Sequence, residues 1–230
     1  MKVGVLLLAA GSGKRFGSDI PKQYLEVAGQ PLILHTLDSL SQEPRIEVVL
    51  PVIGVGDEWF ADCVSDKSWS FDLLTPVLGG AERSISMQRG LAALPADVDM
   101  VAVHDAARAL PSAVLLADVL NVAEQHGAAV PGLPVHDTIK RINEESKVVE
   151  TPDRSRLVAV QTPQVAKRTW FEVALHKEKE RLHLHTDDAS VLEAAGFDVF
   201  ISKGDIKNRK VTTPHDMEWL KEQLAGVMKP

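Results

Sequence analysis

The chain has 230 residues, 45% of them hydrophobic and 25% charged, a composition that excludes disorder and fibrous architecture and suffices for one large α/β domain. Its net charge of −7 excludes a sequence-independent grip on nucleic acid, so any anion it binds must be caught by a local cluster of cations. Its one cysteine, Cys63, has no intramolecular partner and no Cys/His cluster has zinc-finger spacing, which predicts a reduced, cytoplasmic setting.

Val3–Leu8 is a near-continuous apolar run, the pattern of a parallel strand buried on both faces and too short for a membrane span or a signal-peptide core. It leads into Ala9-Ala-Gly-Ser-Gly-Lys-Arg-Phe-Gly17. The spacing then predicts a helix over Pro31–Leu40, a strand over Glu47–Ile53, a strand over Phe71–Val77, a helix over Arg83–Leu94, a strand over Met100–His104 and a helix over Ser112–His126 that ends at Gly127. This alternation predicts right-handed crossovers and an α/β fold with a Rossmann-like, doubly wound, mostly parallel sheet, its ligands beyond the carboxyl ends of the strands.

From Gly127 the pattern changes. Asp137 to about Leu157 resembles a polar β-hairpin with Asn143–Ser146 as its turn. Such a hairpin has little core of its own, which favours an arm packed on a second subunit over a surface ornament. Helices follow over about Lys167–Arg181, Asp187–Ala195 and Pro214–Leu224, with a strand at Asp198–Ser202. There is no internal repeat or linker, so residues 1–230 read as a single domain with an arm excursion at about 137–157.

Neither common glycine-loop fingerprint fits the first loop. Gly17 falls one residue late for a dinucleotide-binding motif; Leu8 stands where a P-loop needs glycine, and Arg15 replaces its Ser/Thr. What remains is a polyphosphate clamp of exposed backbone amides with Arg15 and Lys22, or else a solvated turn. In His104-Asp-Ala-Ala-Arg108, Asp105 could hold Mg²⁺ or a sugar hydroxyl and Arg108 a phosphate, unless the two merely pair to close the strand. His104 reads as structural. Gly79–Ser86 offers either amides for a base or anion, or a helix cap by Ser84. Thr186-Asp-Asp-Ala-Ser190 reads as an N-cap with acidic first-turn residues. His183 and His185 have spacing that suits a metal only on a strand, with no third ligand. In the basic run Lys203–Lys210 the spacing singles out no residue.

Taken in order, Ala9–Phe16, Pro21-Lys-Gln-Tyr24, Gly80–Ser86, His104–Arg108, Pro134–Arg141, Thr162-Pro-Gln164, Thr186–Ser190 and Lys210-Val-Thr212 resemble the 2-C-methyl-D-erythritol 4-phosphate cytidylyltransferase family of the non-mevalonate isoprenoid pathway. The resemblance implies a nucleotidyltransferase-type fold and attack of methylerythritol phosphate on the α-phosphorus of CTP, with release of pyrophosphate. It places Ala9, Ala10, Gly11, Gly13, Gly80 and Ser86 around the cytidine, and makes Arg15 and Lys22 the cations that stabilise the reacting phosphates. It places Asp105, Arg108, Thr162 and Thr186 in the methylerythritol phosphate pocket, with Thr138 and Arg154 reaching in from the partner's arm, and makes Arg154 and Lys210 orient the nucleophile. Asp105 is the metal candidate, with Mg²⁺ held mostly by the CTP phosphates. A homodimer is implied, with no nucleic acid and no membrane. The chain departs from the family pattern at Ala109, usually proline, and at His136, often arginine. The competing readings are a ribitol 5-phosphate cytidylyltransferase, whose loop more typically reads Ala-Gly-Gly, and a non-catalytic CTP-binding regulatory protein. Joint presence of Arg15, Lys22, Asp105 and Lys210 speaks against the latter.

Overall fold

The computed structural model describes residues 1–11, 16 and 20–227. In chain order it contains β1 (Val3–Ala9), β2 (Glu26–Val27), β3 (Gln30–Pro31), α1 (Leu32–Leu40), β4 (Ile46–Ile53), α2 (Phe60–Val64), β5 (Asp72–Leu73), β6 (Val77–Leu78), α3 (Arg83–Ala93), β7 (Met100–Asp105) and α4 (Ala113–His126). Then come β8 (Ala128–Pro134), β9 (Arg141–Ile142), β10 (Val148–Glu150), β11 (Val158–Val160), β12 (Gln164–Lys167), α5 (Arg168–Lys177), α6 (Asp188–Ala194), β13 (Phe200–Lys203) and α7 (Pro214–Val227). The main sheet runs β11-β8-β12-β7-β1-β4-β5, with β13 added on β8 and β6 on β4.

The apolar run at the N-terminus is explained by its central place. β1 lies between β4 and β7, parallel to both, and alternate side chains enter opposite cores. Val5 and Leu7 pack with Leu37 of α1 and Leu120 of α4. Leu6 packs on the other face with Met87 and Leu91 of α3 and Phe171 of α5. A strand sandwiched between helical layers has no solvated face, so its sequence shows no polar alternation. α4 begins where Ser112 accepts a hydrogen bond from the Leu115 amide at 3.3 Å. It ends at Gly127, whose φ of 97° lies in the region that favours glycine.

The sheet is mixed rather than wholly parallel. β12 inserts antiparallel between β7 and β8, and β11 pairs antiparallel with β8. The sequence pattern marks no strand at β8, β11 or β12, and the helix expected over about Lys167–Arg181 is the shorter α5, Arg168–Lys177. Pro131, Gly132 and Pro134 disguise β8, because proline donates no ladder hydrogen bond and glycine weakens a strand. Gly132 is nonetheless required there. A Cβ on it would stand 2.8 Å from Ile201 of β13 and 3.2 Å from Val158 of β11. The expected continuous strand at Phe71–Val77 is two short strands, β5 and β6, with Leu74–Pro76 between them.

The hairpin is present as β9 and β10, a separate two-stranded sheet. Its turn is held by Asn143, whose side chain accepts from the amides of Glu145 and Lys147, and Ser146 takes a φ of 63°. It is less polar than its sequence implies: Ile142, Val148 and Val149 are all more than half exposed.

Candidate active site

At the carboxyl ends of β1 and β7, a cleft of about 240 Å³ is lined by Ala9, Ala10, Gly11, Lys22, Gly80, Arg83, Ser86, Asp105 and Lys210, among others. Placement at strand ends is where an α/β sheet leaves room for a ligand. Each wall has a local cause.

The Pro-Lys-Gln-Tyr segment is pinned by its last two residues. Gln23 is buried and donates to the Ala9 carbonyl at 2.5 Å. Tyr24 donates to Asp57 at 2.5 Å and stacks on Trp59 with ring centroids 5.9 Å apart. Burial and the adjacent Asp57 carboxylate both push the Tyr24 hydroxyl pKa upward, so it stays a neutral donor. Lys22 is thereby delivered to the cleft, where its ammonium donates to the Val211 carbonyl at 2.8 Å.

Val211 organises a second cation as well. It is fully buried, its amide donates to the Ala107 carbonyl at 2.8 Å, and Lys210 precedes it. Lys210 reaches Asp105 at 2.8 Å while its side chain stays 40% exposed, enough to face a ligand. Asp216 accepts from the amides and hydroxyls of Thr212 and Thr213, all at 2.9 Å, and pairs with Arg209 at 2.5 Å. Burial works against the Asp216 charge, but these hydrogen bonds outweigh it and hold the carboxyl far below its usual range. Of the basic run only Lys210 lines the cleft.

The third wall is the turn into α3. The Gly80 amide donates to the Ser86 hydroxyl at 3.0 Å, and that hydroxyl donates to the Glu82 carbonyl at 3.1 Å. A Cβ on Gly80 would come within 2.3 Å of the Ile85 side chain. Ser84 caps nothing; it donates to the Leu182 carbonyl across the core at 2.8 Å.

Asp105 lies at the centre. One carboxylate oxygen meets Arg83 at 3.3 Å, and the other meets Lys210 at 2.8 Å and Arg108 at 3.8 Å. The Asp–Arg pair expected to close the strand is therefore the weakest of three contacts. Burial disfavours the Asp105 charge, yet the three cations outweigh it and keep the carboxyl well below the usual carboxylate range. Arg83, which sequence reasoning missed, also meets Asp188 in the first turn of α6. Burial opposes its charge, but the two carboxylates prevail and raise its pKa. Burial pushes the Asp188 carboxyl up against the pull of Arg83; because Arg83 stays charged and touches that carboxylate directly, the contact acts as an ion pair. Nothing in its own helix marks it, since α3 also carries Ser84, Ser86, Gln88 and Arg89; its place in the turn that follows Gly79-Gly80 is the one local signal.

The remaining expected residues fall in four groups. Arg108 and Thr162 lie behind the cleft wall. Arg108 donates to the Asn208 carbonyl at 2.8 Å, and burial lowers its pKa. Thr162 is buried and accepts from the Asp105 amide at 3.1 Å. Thr186 is exposed, and the cap of α6 is its neighbour Asp187, which accepts from the Ser190 amide at 3.0 Å. Thr138 and Arg154 are exposed on the arm, outside the chain's own cleft, and Arg154 donates to the His136 carbonyl at 2.6 Å. Because that contact uses backbone, the departure at His136 leaves it intact. Ala109, the other departure, is buried, and its carbonyl accepts from Ser39 at 2.9 Å. Gly13 and Arg15 lie outside the described residues.

Asp105 does not fit the part of a metal ligand, since both oxygens are engaged by cations. No group of three or more His, Cys, Asp or Glu suited to a metal occurs among the described residues. No helix among them is long and apolar enough to cross a membrane.

The IspD family model, 2-C-methyl-D-erythritol 4-phosphate cytidylyltransferase, matches residues 3–224. The enzyme of that name from Alkaliphilus metalliredigens is 38% identical over 217 residues, covering 94% of this chain and 90% of the relative. The crystal structure of the Thermus thermophilus enzyme superposes with a TM-score of 0.79 at 31% identity, covering 98% of this chain and all of that one. A 4-diphosphocytidyl-2C-methyl-D-erythritol synthase from Anaerococcus prevotii superposes at 0.85 with 26% identity, covering 97% and 98%. The chain belongs to the 2-C-methyl-D-erythritol 4-phosphate cytidylyltransferase family.

Proposed function

We infer that this member of the cytidylyltransferase family carries out the family's reaction with the residues of the cleft. A phosphate oxygen of 2-C-methyl-D-erythritol 4-phosphate bonds to the α-phosphorus of CTP as the bond from that phosphorus to its bridging oxygen breaks. The products are 4-diphosphocytidyl-2-C-methyl-D-erythritol and pyrophosphate. The nucleophile is already ionised, so the protein needs positioned charge more than a general base. One observation carries this reading: Val211 gives its carbonyl to Lys22 and its neighbour Lys210 meets Asp105, which sets two cations side by side at the mouth of one cleft.

Ala9, Ala10, Gly11, Gly80 and Ser86 form the nucleotide side. Lys22, with Gly13 and Arg15, takes the triphosphate; Lys210 takes the polyol phosphate, and Asp105 and Thr186 its hydroxyls, while Arg108 supports the wall from behind through the Asn208 carbonyl. Mg²⁺ bound with CTP would be held by phosphate oxygens and would spread their charge, while Asp105 stays engaged by its three cations. Thr138 and Arg154 complete the site from a partner subunit, the exposed Ile142, Val148, Val149, Val158 and Val160 of the arm and its base being the surface a second copy covers. The enzyme works as a cytoplasmic homodimer, one domain per subunit.

Purified protein with CTP and Mg²⁺ should release pyrophosphate with methylerythritol phosphate and not with ribitol 5-phosphate. Release with ribitol phosphate alone, or CTP binding without turnover of either, overturns this reading.

A further inference from the structure

His104 is fully buried at the end of β7 and touches no cleft surface, yet it joins two residues of the site. Its Nε2 lies 3.1 Å from the Arg108 carbonyl and its Nδ1 lies 3.0 Å from the Thr162 hydroxyl. The same hydroxyl lies 3.1 Å from the Asp105 amide. These contacts fix every proton. A carbonyl can only accept, so Nε2 must carry the hydrogen. A neutral imidazole then has a bare Nδ1, which accepts from the Thr162 hydroxyl. Burial, the largest influence, holds the imidazole neutral, its pKa lowered to about 4. The Asp105 amide can only donate, and it takes a lone pair of that hydroxyl.

We propose that His104 is a positioning residue, set as the Nε2–H tautomer, that clamps both ends of the Asp105–Arg108 turn and commits the single hydroxyl proton of Thr162. The turn carries the Asp105 carboxylate and the Arg108 guanidinium, and its own closure is the Arg108 amide donating to the Asp105 carbonyl at 3.0 Å. The relay through Thr162 and His104 adds a second, side-chain closure across the same four residues. The committed proton has a consequence for recognition. With its proton given to His104, Thr162 cannot donate to a phosphate, and from behind the cleft wall it acts on the polyol phosphate by holding the turn that presents Asp105.

The kinetic part of this inference rests on the proposed reaction; the tautomer does not. Long-range ¹⁵N–¹H spectra of the wild-type protein labelled at histidine should show His104 protonated at Nε2 and bare at Nδ1 near neutral pH, and a proton on Nδ1 overturns the clamp whatever the substrate. Thr162→Val, which removes the hydroxyl at nearly constant shape, should raise KM for methylerythritol phosphate by about 10-fold with KM for CTP within about 2-fold, because it leaves a buried donor and acceptor unmet. Thr162→Ser should restore the wild-type values. His104→Gln can set an amide N–H where Nε2 stood, for the Arg108 carbonyl, but has no acceptor at the Nδ1 position, and should reproduce the Thr162→Val pattern. If both KM values rise together in step with a lowered melting temperature, or if Thr162→Ser is as impaired as Thr162→Val, the residues are merely structural. A wild-type protein that turns over no methylerythritol phosphate defeats the functional reading and leaves the spectra to decide the clamp.

Discussion

The base of the cleft and the arm handle charge in opposite ways. At the base, Asp105 and Asp188 are buried among cations brought from distant parts of the chain, with Arg83 joining β7 to α6 across 22 and 105 residues. On the arm, Arg141 and Glu150 pair at 2.8 Å with side chains 68% and 49% exposed. The apolar side chains around them also face solvent. A buried charge that loses its partner stays desolvated, whereas an exposed one regains water. The base is thus preorganised by the fold of one chain. The arm carries groups that the same chain leaves without a pocket, and the proposed dimer explains why.

The largest effect should come from breaking the base. Arg83→Met leaves Asp188 enclosed without its partner and is expected to cost about 3–5 kcal/mol of stability, read as a lowered urea midpoint with an unchanged slope. Asp188→Asn in the same background should recover part of the loss. A fall below about 1 kcal/mol would mean that the pair is solvated like a surface one. Next is rate. Lys22→Ala and Arg154→Ala should each lower turnover by about 10²-fold or more, since each removes charge aimed at the reacting phosphates. Once subunits exchange, an equal mixture of the two should recover about a quarter of wild-type activity, because each mixed dimer rebuilds one complete site. No recovery despite proven exchange would place Arg154 in its own subunit's site or in none.

The difference between the two regions also decides what could be read from the sequence. β1 and β7 were legible because central parallel strands must be apolar throughout, and α4 because Ser112 and Gly127 bracket it. β8 and β12 were not, since prolines and a glycine break the pattern of the first and the second is only four residues long. At the site, Asp105, Lys22 and Lys210 were found as motif residues, but the physical reading alone could not choose Lys210 from its basic run. Its selection depends on Val211 being buried against Ala107, a contact across about a hundred residues. Arg83 escaped for the same reason: its partners Asp105 and Asp188 are distant in the chain. The acidic net charge foretold the arrangement only in outline. Cations had to be gathered locally, and the fold gathers them around a carboxylate.

Acid should find the base before it finds the arm. The pKa of His104 falls from its ordinary 6.5 to about 4, chiefly by burial, with Arg108 and Arg83 also lowering it and Asp105 opposing. Between these values the unfolded chain binds a proton that the folded chain refuses, so stability is complete above pH 6.5 and declines as pH falls toward 4. The slope approaches about 1.4 kcal/mol per pH unit. Asp105, held below its ordinary 3.8, adds a loss only below that value. Urea midpoints at pH 7, 6 and 5 should show the decline in the wild type and a flatter profile in His104→Asn. Equal slopes in the two proteins would mean that some other group titrates.

The smallest effect tests the arm. Arg141→Ala removes the Arg141–Glu150 pair, and since both partners are about half exposed or more, the expected loss is under about 1 kcal/mol and shrinks with added salt. The apolar residues beside the pair behave differently. Val148→Ser should leave the unfolding midpoint of the dilute chain nearly unchanged while weakening self-association in sedimentation, because Val148 is exposed in the isolated chain and is proposed to be covered by the second copy. If Arg141→Ala instead costs as much as Arg83→Met, the pair is desolvated in solution. The partner would then cover the polar edge of the hairpin as well as its apolar face.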